Sequence, residues 1–272
     1  MRTARRKRDA TLCVGILTVP HLEKTPHGKS HIMNYYVDWF ENCGVRVVPI
    51  PYQTRHPERY YSMVNGLFIP GGYMPYVVKQ SAFWKTLRWF VEKSLEPSEY
   101  FPIWGTCLGF EFLMFLIGGL RMLKRHEIHK RIPIQLTDAA YDSRMMGSFP
   151  SGFLRSIQTQ PVFMQNHEYG ISPRDFLANP HLRRFYRILA TARDMKGKEF
   201  VCAIEAIGFP IYGVQILPEY PTPDSHLIGF LISELKKNRH RPPASIPFLR
   251  SVMRPYPLFM ETNQEELLYY FF

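Results

Sequence analysis

A cysteine lies where an apolar, strand-like segment meets an apolar, helix-like one. Cys107 is the centre of Gly105-Thr106-Cys107-Leu108-Gly109, a G-x-C-x-G pattern that is the thiol counterpart of the G-x-S-x-G nucleophile elbow. In such a turn the glycines let strand and helix approach closely, and the nucleophile is held at the helix N-terminus. There the helix dipole and the free N–H groups favour the thiolate, which is the reactive form of cysteine. The pattern therefore predicts nucleophilic chemistry at Cys107 if a proton acceptor is present.

A second segment could supply hydrogen-bond donors to this cysteine. Residues 67–69 read as a buried strand, and Pro70-Gly71-Gly72 follows as a tight turn. A turn of this kind places bare backbone N–H groups at the carboxyl edge of a parallel sheet, where ligands collect. The N–H of Leu108 and an N–H near Gly72 could together form an oxyanion hole. The alternative interpretation is an ordinary turn, since most Pro-Gly-Gly runs have no further role.

The order of apolar segments predicts an α/β fold. Strand-like and helix-like patterns alternate in the first half of the chain, as they do in a parallel sheet with crossover helices. The predicted elements there are strands over Leu12–Val19, Val45–Ile50, Gly66–Ile69 and Phe101–Gly105, and helices over Met33–Asn42, Ser81–Ser94 and the residues after Cys107. Shorter, β-rich pieces follow over Arg131–Leu136, Gln160–Met164, Phe185–Thr191, Phe200–Ile207 and Ile211–Gln215, and then a helix over His226–Lys237. We expect three layers, with a mostly parallel central sheet and flanking helices.

Length and composition favour one globular domain. The chain has 272 residues, of which 46% are hydrophobic, enough for a substantial core. We expect residues 1–10 to form a basic, flexible tail, residues 11–272 to form a single domain, and Arg241–Pro257 to form an ordered surface arm. The net charge of +11 would suit an anionic ligand. Much of the excess lies in two short runs, at 2–8 and 236–241, so nucleic-acid binding is not expected.

The sequence shows no sign of a cofactor site, a metal site or a membrane span. The four cysteines are far apart and form neither a disulfide pattern nor a CxxC metal motif. The longest apolar stretch, 110–120, has about half the length that a membrane-spanning helix needs. The apolar run that ends at Pro20 is interpreted as a strand and not as a signal peptide. With no N-x-S/T sequon either, the expected compartment is the cytoplasm or the nucleus.

A third segment completes a resemblance to a known family. The segment Ile211–Glu219 has the sequence IYGVQILPE. We interpret it as a strand that runs into a polar turn. IPGG, WGTCLGFE and YGVQ..PE, in this order and spacing, resemble the gamma-glutamyl hydrolases, which are class I glutamine amidotransferase-like cysteine hydrolases. The similarity runs over nearly the whole chain. It implies hydrolysis of γ-glutamyl bonds in folyl and antifolyl polyglutamates, without metal or cofactor, in proteins of the lysosome, the vacuole or the cell exterior.

The resemblance also implies roles for individual residues. By matching position, Cys107 is the nucleophile, Gly72 and Leu108 line the oxyanion hole, and Glu219 orients the base. The base itself is a histidine in the family pattern VQWHPE, whereas this chain has Leu217 at that position. A positioned acid/base group contributes roughly 10²–10⁴-fold to a rate. We therefore expect a strongly impaired enzyme unless another histidine substitutes.

Three further residues are candidates for the site. His167 matches the segment where the family carries an active-site histidine, and it is the natural substitute base; the alternative is a surface or core-edge histidine with one hydrogen bond. Arg144, in a Ser-Arg-Met run that echoes the family, could hold a substrate carboxylate, or it could be an ordinary exposed arginine. Glu111 could approach the nucleophile, or it could be a buried structural carboxylate.

Two functional hypotheses follow from these residues. The first is a working γ-glutamyl peptidase with a displaced base. The second is a catalytically inactive relative that binds a glutamylated ligand or a protein partner. A homodimer is an option that the sequence leaves open.

Overall fold

The computed structural model describes residues 12–25, 28–72, 82–119, 123–241, 258–261 and 266–271. Within those ranges the strands are β1 Cys13–Leu17, β2 Val19–Thr25, β3 Gly28–Met33, β4 Arg46–Ile50, β5 Leu67–Ile69, β6 Ile103–Thr106, β7 Lys124–Arg131, β8 Gln135–Leu136, β9 Met164–Gly170, β10 Tyr186–Arg193, β11 Glu199–Ala206, β12 Ile211–Val214, β13 Leu258–Glu261 and β14 Glu266–Phe271. The α-helices are α1 Asn34–Glu41, α2 Pro57–Tyr61, α3 Ala82–Ser94, α4 Leu108–Gly118, α5 Asp138–Tyr141, α6 Ser151–Thr159, α7 Pro173–Ala178, α8 Pro180–Phe185 and α9 Ser225–Leu235.

An eight-stranded sheet, in the order β4-β1-β5-β6-β12-β11-β10-β8, forms the centre of the described structure. The pairs from β4 to β12 are parallel, and the pairs from β12 to β8 are antiparallel. The parallel strands are continuous apolar runs because both of their faces are covered. β5, β6 and β12 end at the same edge, since Ile69 pairs with Gly105 and Thr106 pairs with Val214. The three segments singled out in the sequence therefore leave the sheet side by side.

Helices pack on both faces of this sheet. The two faces can be seen in β1, where Val14 and Ile16 belong to one apolar cluster and Cys13 and Leu17 belong to another. Buried side chains of α1 and α9 complete the first cluster, and those of α3 and α4 complete the second. The predicted three-layer α/β fold with a mostly parallel central sheet is confirmed.

Two smaller sheets lie beside the main one. β13, β14, β3 and β2 form a four-stranded sheet, and β7 pairs with β9 in an antiparallel ribbon. The ribbon lies next to the carboxyl end of β12, because Met164 at its end forms an isolated bridge with Leu217. His21 and His31 lie in β2 and β3.

Several predicted boundaries were wrong. The strand expected over Gln160–Met164 is instead a short connection after α6, and β9 begins only at Met164. The helices α6, α7 and α8 were not predicted, because each is short and buries only one or two apolar positions. The expected basic tail and nearly all of the expected surface arm lie outside the described residues. No helix in the described ranges is both long and apolar enough to cross a bilayer.

Candidate active site

The turn between β6 and α4 holds Cys107 in a constrained backbone conformation. A Cβ atom on Gly109 would meet the carbonyl oxygen of Ile69 at 2.1 Å, and one on Gly105 would meet the carbonyl carbon of Gly109 at 2.6 Å. Strand and helix can approach this closely only because both residues are glycines. Cys107 itself has φ 50° and ψ −109°, which for a residue with a Cβ costs on the order of 1–3 kcal/mol. The surrounding packing thus imposes the geometry of a nucleophile elbow.

Two backbone N–H groups lie near enough to the Cys107 sulfur to lower its pKa. They belong to Leu108, at the start of α4, and to Gly72, at the end of the Pro-Gly-Gly turn. Gly72 has φ 139°, a conformation that favours glycine. The structure therefore brings together the pair of donors that the sequence suggested for an oxyanion hole, and this pair could hold the carbonyl oxygen of a bound acyl group.

The thiol of Cys107 donates a hydrogen bond to a main-chain carbonyl and not to a side-chain base. The sulfur lies 3.5 Å from the carbonyl oxygen of Asn166, on β9. Burial raises the pKa of Cys107 above its ordinary value, and the carboxyl groups of Glu111 and Glu219 raise it further. These effects outweigh the two N–H groups, which lower the pKa. The helix end does favour the thiolate through the N–H of Leu108, but burial outweighs it, so the pKa is raised overall.

Leu217 occupies the position where the family pattern has a histidine. Its side chain is buried, and its N–H donates to the carbonyl oxygen of Met164 at 2.9 Å. Ile216, where the pattern has tryptophan, is buried in the apolar cluster next to α1 and α9. An aliphatic side chain cannot exchange a proton, so position 217 contributes packing only.

Glu219 is a buried carboxyl group that the leucine leaves without an imidazole partner. Neither of its side-chain oxygens has a hydrogen-bond partner of normal geometry among the described residues. Burial raises the pKa of Glu219 to about 8, while its own N–H and the Tyr36 hydroxyl act in the opposite direction. Close to neutral pH this carboxyl group is largely protonated.

Tyr36, on α1, is a site residue that the sequence did not indicate. Its hydroxyl accepts a hydrogen bond from the N–H of Gly71 at 2.8 Å, and the ring is fully buried. The hydroxyl thereby fixes the turn that presents the N–H of Gly72. No motif marks this tyrosine, because its contact depends on how α1 packs against the sheet.

His167 lies on β9 next to Asn166, and its ring is held by other residues. Its Nδ1 is 2.8 Å from the carbonyl oxygen of Tyr169, and its Nε2 is 3.1 Å from the Gln165 side chain. The ring also packs edge-on against Phe200. Burial lowers the pKa of His167 to about 4. Both ring nitrogens thus have partners on β9, while the hydrogen bond of the Cys107 thiol goes to the Asn166 carbonyl oxygen.

Glu111 and Arg144 have structural partners. The carboxylate of Glu111 accepts a hydrogen bond from Gln215 Nε2 at 3.1 Å, which links α4 to the end of β12. The guanidinium of Arg144 bonds Glu205 at 3.2 Å and the carbonyl oxygens of Ala206 and Phe209 at 2.7 and 2.6 Å. Those carbonyls precede β12, at the edge of the sheet opposite Cys107. The structure thus does not bring Arg144 to the nucleophile, because the Ser-Arg-Met loop packs at the other end of β12.

Known proteins share both the sequence pattern and the fold. Residues 29–230 match the family described as glutamine amidotransferase class-I. The chain is 32% identical to gamma-glutamyl hydrolase of Mus musculus, in an alignment that covers 78% of this chain and 74% of the mouse protein. It is 29% identical to gamma-glutamyl hydrolase B of Dictyostelium discoideum, over 94% and 82% of the two chains. The chain belongs to the gamma-glutamyl hydrolase family.

The fold comparison agrees with this assignment to the gamma-glutamyl hydrolase family. The solved structure of a GMP synthase-like protein from Thermoplasma acidophilum superposes with a TM-score of 0.56 and covers 83% of this chain and 94% of that one. At 15% identity this likeness shows the class I glutamine amidotransferase fold and nothing narrower.

Proposed function

We propose that this protein binds γ-glutamyl ligands and that its hydrolysis of them is strongly impaired. Folyl and antifolyl polyglutamates are the ligand class implied by the family. The observation that carries the proposal is the hydrogen bond from the Cys107 thiol to the Asn166 carbonyl, at 3.5 Å. In the family pattern a histidine at position 217 would take that proton, and here the residue is leucine.

The missing imidazole affects two proton transfers. The base must remove the thiol proton before attack on the γ-amide carbonyl, and the resulting acid must protonate the leaving amine. Neither a main-chain carbonyl nor Leu217 can do either. The N–H groups of Leu108 and Gly72 require no titratable partner, so they remain available to hold the substrate carbonyl. The site therefore keeps the N–H groups that can bind the substrate carbonyl and lacks the group that would transfer protons.

A working peptidase with a displaced base is the second candidate. It is favoured by the strained backbone of Cys107, at φ 50°, because strain of this kind accumulates at functional sites. The third alternative, a module that binds a protein partner, uses neither the sulfur nor the two N–H groups.

The test compares the wild type with Cys107→Ala and Leu217→His. Each protein is incubated with a γ-linked folyl polyglutamate, binding is measured by calorimetry, and shortened tails are measured by mass spectrometry. We expect binding without Cys107-dependent cleavage in the wild type. We expect Leu217→His to raise the rate by roughly 10²–10⁴-fold, and this gain should disappear in Cys107→Ala/Leu217→His.

The single substitution should be made before Ile216→Trp is added. Ile216 is buried in a packed cluster, and a larger side chain there would cost about 1–3 kcal/mol through overpacking. Rapid Cys107-dependent cleavage by the wild type would contradict the proposal and indicate a displaced base. Absence of both binding and cleavage in a folded wild type would favour the protein-binding alternative.

A further inference from the structure

The antiparallel ribbon of β7 and β9 carries Arg131 on the same face as Leu217, the residue at the histidine position of the family pattern. Arg131 pairs with Met164 across the ribbon, and Met164 forms a bridge with Leu217. Directly opposed residues in paired strands place their side chains on the same face. Two strand spacings put the Cα atoms of Arg131 and Leu217 roughly 10 Å apart. The side chain of Arg131 can span much of that distance.

A second observation places the guanidinium of Arg131 beside the site. Its Nη2 donates to Thr222 Oγ1 at 3.3 Å, and Thr222 follows closely after Leu217 and Glu219. The side chain is exposed, and no carboxylate in the described ranges forms an ion pair with it. The guanidinium therefore keeps several free donors.

Polar groups continue along the same face towards the cysteine. His129, two residues before Arg131, lies opposite Asn166, and its Nδ1 is 2.6 Å from Asn166 Oδ1. The main-chain carbonyl of Asn166 accepts the hydrogen bond of the Cys107 thiol. The exposed carboxylate of Glu168 is on this face of β9 as well. Glu168 lies at the end away from Leu217, so its carboxylate and the guanidinium of Arg131 are at opposite ends of this face.

We propose that Arg131, with His129 and Asn166 beside it, forms a carboxylate subsite for the tail of a γ-glutamyl ligand. This inference rests on the proposed function. A γ-linked chain uses its side-chain carboxyl groups for the peptide bonds, so every residue keeps a free α-carboxylate. A guanidinium matches a carboxylate with two parallel hydrogen bonds. With one glutamyl carbonyl at Cys107, the carboxylate of a neighbouring residue is the group that reaches Arg131.

The experiment uses γ-linked oligoglutamates of one to four residues, without a pterin. They are titrated calorimetrically into the wild type, Arg131→Gln, Arg131→Lys and the control Arg239→Gln. Arg239 is also exposed, but it follows Asn238, whose side chain bonds the carbonyl oxygen of Tyr100 before β6, at the edge opposite Cys107. Mass spectrometry after each titration checks that the peptides are intact.

We expect the wild type to bind longer peptides more tightly. Arg131→Gln should weaken binding of peptides of two or more residues by about three- to tenfold, the range of one partly exposed charge-assisted contact. The affinity of Arg131→Lys should lie between those of the wild type and Arg131→Gln, because lysine keeps the charge and lacks the planar guanidinium. Arg239→Gln should bind like the wild type. Peptides with α-carboxamides should bind all variants equally.

The outcomes separate this inference from the proposed function. If no γ-linked peptide binds the wild type, both fail. If the peptides bind and the affinity of Arg131→Gln equals that of Arg239→Gln, the subsite proposal is overturned and the proposed function stands. If inorganic polyphosphate binds with the same dependence on Arg131, the face is a general polyanion site and the carboxylate assignment is overturned. If the wild type cleaves the peptides rapidly, the impairment fails, and the dependence of kcat/KM on Arg131 still tests the subsite.

Discussion

At the scale of single residues, the backbone at Cys107 favours nucleophilic attack, whereas the burial of its sulfur and the nearby carboxyl groups disfavour the thiolate. The elbow places the sulfur near the N–H groups of Leu108 and Gly72, which could hold a substrate carbonyl oxygen while the sulfur attacks its carbon. Burial and two nearby carboxyl groups raise the pKa of the thiol. A histidine at position 217 would supply the compensating positive charge when protonated, and Leu217 cannot. The loss of one side chain therefore changes both the proton transfer and the charge balance of the site.

The absence of a histidine at position 217 also predicts a pH-dependent effect of Glu219→Gln on stability. Burial raises the pKa of Glu219 from 4.5 to about 8, so the folded state holds a proton that the unfolded state releases above about pH 4.5. The stabilisation that this bound proton gives the folded state is fully present below pH 4.5 and is lost as the pH rises through about 8. The neutral glutamine removes the dependence, so the variant should be about 2–4 kcal/mol more stable than the wild type at pH 8, and nearly equal to it at pH 5.

Urea unfolding at pH 5 and pH 8 measures this difference. Glu168→Gln is the control, because Glu168 is exposed on β9 and should change the free energy of unfolding by less than about 0.5 kcal/mol. If Glu219→Gln destabilised the protein equally at both pH values, the Glu219 carboxylate would have a favourable partner in the folded state, contrary to this prediction.

At the scale of elements, the approach of α4 to β5 and β6 determines where the nucleophile lies. The glycines on either side of Cys107 are required by the contacts of Gly105 with Gly109 and of Gly109 with Ile69. The Tyr36 hydroxyl of α1 holds the adjacent turn through the N–H of Gly71. The site is thus built from the ends of several elements that must pack without side chains between them.

Gly109→Ala should therefore be strongly destabilising. Its Cβ would lie 2.1 Å from a backbone carbonyl oxygen, which no side-chain rotation can relieve, so we expect a loss of about 3 kcal/mol or more in the free energy of unfolding. The matched control is Gly229→Ala, in the interior of α9, where a Cβ would have nothing within 4 Å. There alanine should stabilise the protein by up to about 1 kcal/mol. Thermal and urea unfolding of both variants test the contrast, and equal effects would contradict it.

At the scale of the whole molecule, segments from the two ends of the sequence pair with each other. β14 lies beside β3, with Leu268 opposite Met33 and Phe271 opposite Ser30. Leu268, Tyr270 and Phe271 are buried. Because β3 leads directly into α1, this late strand supports the helix that carries Tyr36 to the site.

Leu268→Ala tests the importance of this pairing. Leu268 is 1% exposed, so removal of its side chain should cost about 2–5 kcal/mol of unfolding free energy. Leu177→Ala is the same substitution at a position that is 54% exposed, and it should cost less than about 0.5 kcal/mol. Both are measured by urea unfolding. A Leu268→Ala protein as stable as Leu177→Ala would mean that β14 does not contribute to the core.

Features that depend on neighbouring residues could be predicted from the amino-acid sequence. The apolar alternation predicted the parallel strands and the crossover helices, because burial on both faces requires continuous apolar runs. The G-x-C-x-G pattern predicted a cysteine between a strand and a helix, since only small residues permit that turn. The residues of YGVQ..PE also revealed the leucine at the histidine position. These signals led to the gamma-glutamyl hydrolase family.

The contacts between distant segments required the three-dimensional structure. The contacts of Cys107 with Asn166 and of Gly71 with Tyr36 join residues 59 and 35 positions apart, and they depend on strand register and helix packing. A shift of one residue in β9 would have turned His167 towards the other face. The position of Arg131 likewise follows from two successive strand pairings. Local patterns specify which elements form, whereas the choice among the possible pairings is made by burial of the whole core.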